Sequence, residues 1–179
     1  GSYRAGRLLL SAGAWNQELL HELTLPLEVE RQASFWLQPD ESSASYGKSH
    51  FPIYAYEFTP GLICYGFPRL PRGVKSSIMH GGEIVSSPDE VRRTVDENEI
   101  DPVRNALRAV LPELAEAPVS ETSVCLFTNT PDHDFVVDFH PGYPQVLISS
   151  PCSGHGFKFA SALGELQADL LTTGTSRFD

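Results

Sequence analysis

Gln145-Val146-Leu147-Ile148-Ser149-Ser150, followed after Pro151-Cys152 by Ser153-Gly154-His155-Gly156-Phe157-Lys158-Phe159 and Ala160-Ser161-Ala162-Leu163-Gly164-Glu165-Leu166, decides how the end of this chain folds. The apolar run reads as a strand, the two glycines as a tight turn and the rest as a helix. Glycine reaches dihedrals closed to other residues and lets a neighbouring group approach the backbone. The helix then opens with unpaired N–H groups and the positive end of its dipole. Lys158 adds a full charge one turn into that helix. Together they suit something anionic, or something that becomes anionic during a reaction.

Working outward, Ser120 to Thr128, Phe135 to Asp138 and Val146 to Ser149 read as strands. Arg7 to Ser11 reads as a short buried strand, and Ala14 to Leu23 as a helix ending before Pro26. Leu27 to Leu37 alternates as a long strand with one buried face. Pro39 to Lys48 is a polar loop. Phe51 to Phe58 and Leu62 to Phe67 are strands joined by the turn Thr59-Pro60-Gly61, and Gly73 to His80 is another strand. Ser87-Pro88-Asp89-Glu90 carries a helix start with a capping box. Asp101-Pro102-Val103-Arg104 opens a second helix, with Leu107, Val110, Leu111 and Leu114 as its apolar stripe. The pattern predicts an α+β fold, with an antiparallel or mixed sheet of five or six strands and helices on one face.

The chain has 179 residues, enough for one ordinary core or a core with an appendage. Thirteen basic against 23 acidic residues give a net charge of −10, which argues against nucleic acid or an anionic membrane as partner. No apolar run reaches bilayer length and no signal peptide opens the chain. Cys64, Cys125 and Cys152 are few, odd in number and unevenly spaced, the usage of a reducing compartment, so a cytoplasmic location is expected. His21, His50, His133 and His140 show no metal-ligand spacing, and no metal is expected. Gly1-Ser2 reads as a cloning remnant.

Thr128-Asn129-Thr130-Pro131-Asp132, Phe135-Val136-Val137-Asp138, His140-Pro141-Gly142 and Ser153 to Phe159 occur in that order. This succession resembles the C-terminal part of the monomeric sarcosine oxidase and N-methyltryptophan oxidase family, with fructosyl amino acid oxidases as cousins. The likeness runs most densely from Ser120 to Gly174. It extends more loosely upstream through Leu8 to Trp15, Arg31-Gln32, Tyr65-Gly66-Phe67-Pro68 and Gly73-Val74-Lys75. No Gly-x-Gly-x-x-Gly follows a strand, so the dinucleotide fingerprint is absent from this sequence.

The resemblance implies a flavoenzyme that oxidises the C–N bond of a secondary amine such as an N-methyl amino acid, passing electrons through FAD to O2 and releasing peroxide. It implies a chain beginning past such an enzyme's midpoint. Residues 1–24 would end an FAD-binding region, 25–119 would form the substrate domain and 120–179 a flavin-contacting segment, with the N-terminal nucleotide-binding half absent. Alternatives are a non-catalytic binding domain, a subunit completed by a separate FAD-binding chain, and an oxidase of glycated amino acids. Such a piece is expected to be inactive alone, not to retain flavin, and to expose an apolar patch around its last helix that favours self-association.

Site residues follow from the same resemblance. Cys125 on its own reads as a small buried hydrophobe; in the family, a cysteine at this place carries the flavin through a thioether. Cys64 and Cys152 read as packing residues. Lys75 reads either as a solvated strand lysine or as the family's lysine that promotes the reaction with oxygen, where a fixed cation stabilises developing negative charge. Lys158 implies a partner for the substrate carboxylate, together with an arginine outside this sequence. The turn Ser153, Gly154, His155, Gly156 and Phe157 would face the flavin, with His155 fixing the turn. Tyr65 lines the pocket or merely packs. The family's histidine four residues after the lysine is replaced here by Met79, with His80 next in line, so both are candidate substrate contacts.

Overall fold

The computed structural model describes residues 1–40 and 44–178. Glu41, Ser42 and Ser43, part of the expected polar loop, lie outside the described residues. The strands are β1 (Leu8–Leu10), β2 (Glu28–Leu37), β3 (Tyr54–Thr59), β4 (Leu62–Leu70), β5 (Gly73–Met79), β6 (Glu83–Val85), β7 (Val119–Asn129), β8 (Val136–His140) and β9 (Tyr143–Ser150). The helices are α1 (Asn16–Leu19), α2 (Asp101–Arg108), α3 (Pro112–Ala115) and α4 (Ala160–Thr173). Two compact units share them. One comprises residues 1–29, 86–88 and 127–179, the other residues 30–85 and 89–126.

The second unit is built on a six-stranded sheet ordered β3-β4-β5-β2-β6, with β7 also paired to β2. Local turns fix its centre. Pro60-Gly61 folds β3 onto β4, with Gly61 at φ +81°, and Pro71-Arg72 folds β4 onto β5. In the antiparallel register Trp36, Lys75 and Phe67 lie side by side across β2, β5 and β4, as do Phe35, Ser76 and Gly66 on the other face. That other face carries Phe35, Leu37, Val74, Cys64, Tyr54 and Tyr56. It packs under Val103, Ala106, Leu107, Leu114 and Ala115 of α2 and α3 to make the core. Helices therefore cover one face, and the face bearing Lys75 is the opposite one.

Three expectations need correction here. β2, paired along both edges, is buried along both faces instead of one. It brings Arg31 inside, and burial of a guanidinium demands partners. Arg31 donates to Glu99 at 2.6 Å and to the carbonyls of Arg92 and Thr94. Those carbonyls serve the arginine instead of a helix ladder, so the start read at Ser87 yields only a 3-10 turn over Pro88–Glu90. The capping box forms later, at Asp96 and Glu99. Desolvation works to raise the Glu99 pKa, but hydrogen bonds from Arg31, the Asp96 backbone and Arg92 hold it down to about 2. Finally, the single helix read from Asp101 to Leu114 breaks ahead of Pro112, and Val110 is exposed.

In the first unit β9 is the middle strand, parallel to β1 and antiparallel to β8. β1 is an edge, and Leu8 is exposed instead of buried. The helix expected over Ala14 to Leu23 is broken into two 3-10 turns around the four residues of α1. Asn16 is wholly buried, its Nδ2 donates to the Ser149 carbonyl and its Oδ1 accepts from the Ala12 N–H. α4 lies against β9, where Gln167 donates to the Ser149 hydroxyl, and ends at Gly174 with φ +81°. No residue of α4 is fully buried, and Phe157 and Phe159 ahead of it are exposed. Among the described residues, no helix is long and apolar enough to cross a membrane.

Candidate functional site

Lys75 stands mid-strand on the face opposite α2 and α3, flanked by Trp36 of β2 and Phe67 of β4, with Tyr65 next along. Its ammonium lies 5.5 Å from the Trp36 ring centre and 5.7 Å from those of Tyr65 and Phe67. A half-open cavity of about 420 Å³ above this row is lined by Trp36, Phe67, Leu70, Pro71, Arg72 and Lys75. A strand lysine on a solvated face would extend into water. This one is half-buried among rings, which places a fixed cation against an apolar wall.

Strand alternation separates the other two candidates. Met79, opposite Ile63, shares the Lys75 face. His80 does not. β5 ends at Met79, His80 turns with φ +63°, and its Nδ1 lies 3.4 Å from the Glu30 carboxylate. It lines a different cavity, about 630 Å³, with Arg31, Phe35, Ile78 and Val103 on the helix-covered side. His80 and Lys75 thus line different cavities. Gly82 completes this turn by donating its N–H to Glu30, and a Cβ there would sit 2.1 Å from the Arg31 carbonyl.

The glycine turn belongs to the first unit. The strand–turn–helix reading holds, except that the helix opens with a 3-10 turn over Gly156–Phe159 before α4. Lys158 therefore sits in that turn, not one turn into the α-helix. Its ammonium is exposed, donates to the His155 carbonyl at 2.9 Å, and lies 4.8 Å from the Phe159 ring centre. The positive charge at this helix start is thus offset locally. His155 holds the turn in place: Nε2 lies 2.9 Å from the His133 carbonyl and the ring packs on Phe135.

Ser153, fully buried at φ +44°, ties two turns together. Its hydroxyl donates to the Asp134 carbonyl and accepts from the Thr130 N–H, while its own N–H donates to the Thr128 carbonyl. Thr130 in turn donates to the Asp132 carboxylate, which this bond and the Asp134 N–H hold below its ordinary pKa. The two stretches of sequence are therefore two halves of one knot. Gly154 has φ +75°, and a Cβ on Gly156 would lie 1.7 Å from the Pro151 carbonyl, so the turn must stay bare.

The cysteines differ sharply. Cys64 is fully buried, and burial pushes its thiol up to about 11. Cys152 is half-buried, and burial raises its thiol as well. Cys125, on β7, is exposed. No group of three or more His, Cys, Asp or Glu among the described residues could hold a metal. Sequence reasoning missed Trp36, Arg72 and Glu121. Arg72 stacks on the Trp36 ring at 3.7 Å and pairs with both oxygens of Glu121. Long-range register alone brings them together.

Comparison with known proteins fits this arrangement. The profile of the family described as DAO, FAD dependent oxidoreductase, matches residues 1–170. A monomeric sarcosine oxidase of Streptomyces avermitilis is 35% identical over 179 residues, covering 98% of this chain and 46% of that protein. An N-methyl-L-tryptophan oxidase of Citrobacter koseri is 37% identical over 183 residues, covering all of this chain and 47% of its own length. The chain thus spans about half the length of the curated relatives it matches. The fold is shared with the deglycating fructosamine oxidase (Amadoriase II) of Aspergillus fumigatus at a TM-score of 0.78 and 22% identity, over 99% of this chain and 44% of that one. With a profile and relatives that run through nearly the whole sequence, the chain belongs to the family of FAD-dependent oxidoreductases, among relatives named monomeric sarcosine oxidase and N-methyl-L-tryptophan oxidase.

Proposed function

We propose that this chain forms part of an oxidase of secondary amines, acting on an N-methyl amino acid of the sarcosine type. The substrate would lose two electrons and two protons, O2 would take them up as H2O2, and water would cleave the resulting imine to an amine and an aldehyde. Bound FAD would supply the two-electron relay between them. The observation that carries the reading is Lys75, a cation held between aromatic rings on the sheet face opposite α2 and α3. Negative charge developing on oxygen beside it is stabilised without reorganisation. The fructosyl reading rests on neighbours at 22% identity, which speak for the fold; the 35–37% relatives favour N-methyl amino acids.

The residues present suit the flavin. Cys125 is the exposed thiol and is assigned the thioether link. The bare turn at Gly154 and Gly156 lets a ring system approach its backbone. Residues 1–24 and 120–179, which include Cys125, are assigned to the flavin side and residues 25–119 to the substrate side, with Tyr65 and Met79 lining the substrate pocket beside Lys75. Lys158 would exchange its contact with His155 for the substrate carboxylate. Turnover is assigned to a protein of the relatives' length carrying this sequence, and the chain alone is expected to be inactive and not to retain flavin.

Stopped-flow separation of the two half-reactions tests this in that longer protein. Lys75→Met should slow flavin reoxidation by roughly 10²–10³-fold and leave reduction by substrate nearly unchanged. Lys158→Met should weaken substrate binding and slow reduction instead. Reoxidation at the wild-type rate in Lys75→Met would return Lys75 to the status of a strand lysine.

A further inference from the structure

Among the described residues, Lys75 has no hydrogen-bond or ion-pair partner, and its ammonium touches only three rings. Lysine carries its charge on a four-carbon stem, so the position of the charge is set by what the stem and ammonium contact. Of the three rings, tryptophan has the strongest attraction for a cation. Trp36 is also the ring most firmly held. It is 7% exposed and lies directly across from Lys75 in the β2–β5 register. Arg72, from the β4–β5 turn, stacks on it with the guanidinium carbon 3.7 Å from the ring centre. Arg72 Nε and Nη2 each donate to a Glu121 carboxylate oxygen, so the stacked fork is itself clamped. The Ser120 hydroxyl, 3.0 Å from the Trp36 carbonyl and 2.9 Å from that of Arg72, ties strand to turn.

We propose that Trp36 is a positioning residue for the Lys75 ammonium, with the Arg72–Glu121 pair locking its ring. The ring holds the cation upright from the sheet, and the carboxylate of Glu121 neutralises the guanidinium that would otherwise repel that cation. This rests on the oxygen-activating reading of Lys75 for its kinetic consequence, but not for its geometry.

Two measurements test it. In this chain, whose lysines are Lys48, Lys75 and Lys158, reductive methylation with ¹³C-formaldehyde gives one dimethylamine NMR signal for each. The Lys75 signal, identified by its loss in Lys75→Met, should lie upfield of that of Lys48 through the ring currents around it, while Lys158, 4.8 Å from the Phe159 ring centre, carries a ring shift of its own. Trp36→Leu should move it most of the way to the solvated position, Arg72→Gln part of the way, and Trp36→Phe least. In the longer flavin-loaded protein, Trp36→Leu should slow reoxidation about tenfold, the scale of one desolvated cation–π contact, with substrate reduction unchanged. In a Lys75→Met background the same substitution should add nothing, and Trp36→Phe should restore most of the loss.

Equal slowing with and without Lys75, or a Lys75 signal indifferent to Trp36→Leu and to Arg72→Gln, would overturn the proposal. If Lys75→Met alone leaves reoxidation intact, the oxygen role fails, and the methyl signal still decides whether Trp36 positions the cation. Should Trp36→Leu not fold, Arg72→Gln and Trp36→Phe give the same ordering of shifts.

Discussion

Lys75 and Lys158 carry the same charge and meet opposite surroundings. One is gripped by rings, and the other is folded onto a backbone carbonyl it can release. The cysteines divide in the same way, and their surroundings set an order of reactivity. Iodoacetamide near neutral pH should alkylate Cys125 first and Cys152 more slowly. It should reach Cys64 only on unfolding, since that thiol is both inaccessible and held near 11. Peptide mass spectrometry over time checks the order, and a Cys64 labelled as fast as Cys125 in the native state would contradict the core placement. At this scale the candidate site was half legible. Lys75 and Lys158 stand in recognisable local wording. Trp36, Arg72 and Glu121 are separated by tens of residues and meet only through strand pairing. Met79 and His80 were both read as candidates because one residue of register moves a side chain to the other face, and only strand pairing shows which of them shares the Lys75 face.

The strands other than β6 were read correctly from sequence, and the helices around Ala14 and Ser87 were not. β3, β4 and β5 follow from Pro60-Gly61 and Pro71-Arg72, whose turn preferences act within four residues. The helix expected at Ser87 fails because Arg31 claims the Arg92 and Thr94 carbonyls, and α1 spans only the buried Asn16 to Leu19. The glycine turn can be tested as an element in its own right. Gly156→Ala would drive a Cβ into the Pro151 carbonyl, so the turn must open, at a cost of about 3 kcal/mol. Gly164→Ala faces open space inside α4 and should stabilise the helix by about 0.5–1 kcal/mol. Urea unfolding of the two variants measures both. Equal and small effects would mean that the close approach at Gly156 does not constrain the turn.

For the whole molecule, two opposing surface terms govern association. The chain carries a net charge of −10, so copies repel one another. The first unit meanwhile presents Phe157 at 94% exposure, with Phe159, Tyr143 and Leu8 also exposed, and an α4 with no residue fully buried. Apolar exposure of that kind favours contact once charge is quieted. Raising salt from about 0.1 M to about 1 M shortens the Debye length from about 10 Å to about 3 Å. Repulsion then fades while apolar attraction does not. Self-association should therefore be weak at low salt and grow with ionic strength, the reverse of an assembly held by ion pairs. Sedimentation velocity across a salt series reads this directly, and Phe157→Asp should suppress the high-salt species by restoring charge where the apolar surface is greatest. A chain that stays monomeric throughout the series, or one whose association weakens as salt rises, would show that these exposed rings do not drive contact between copies.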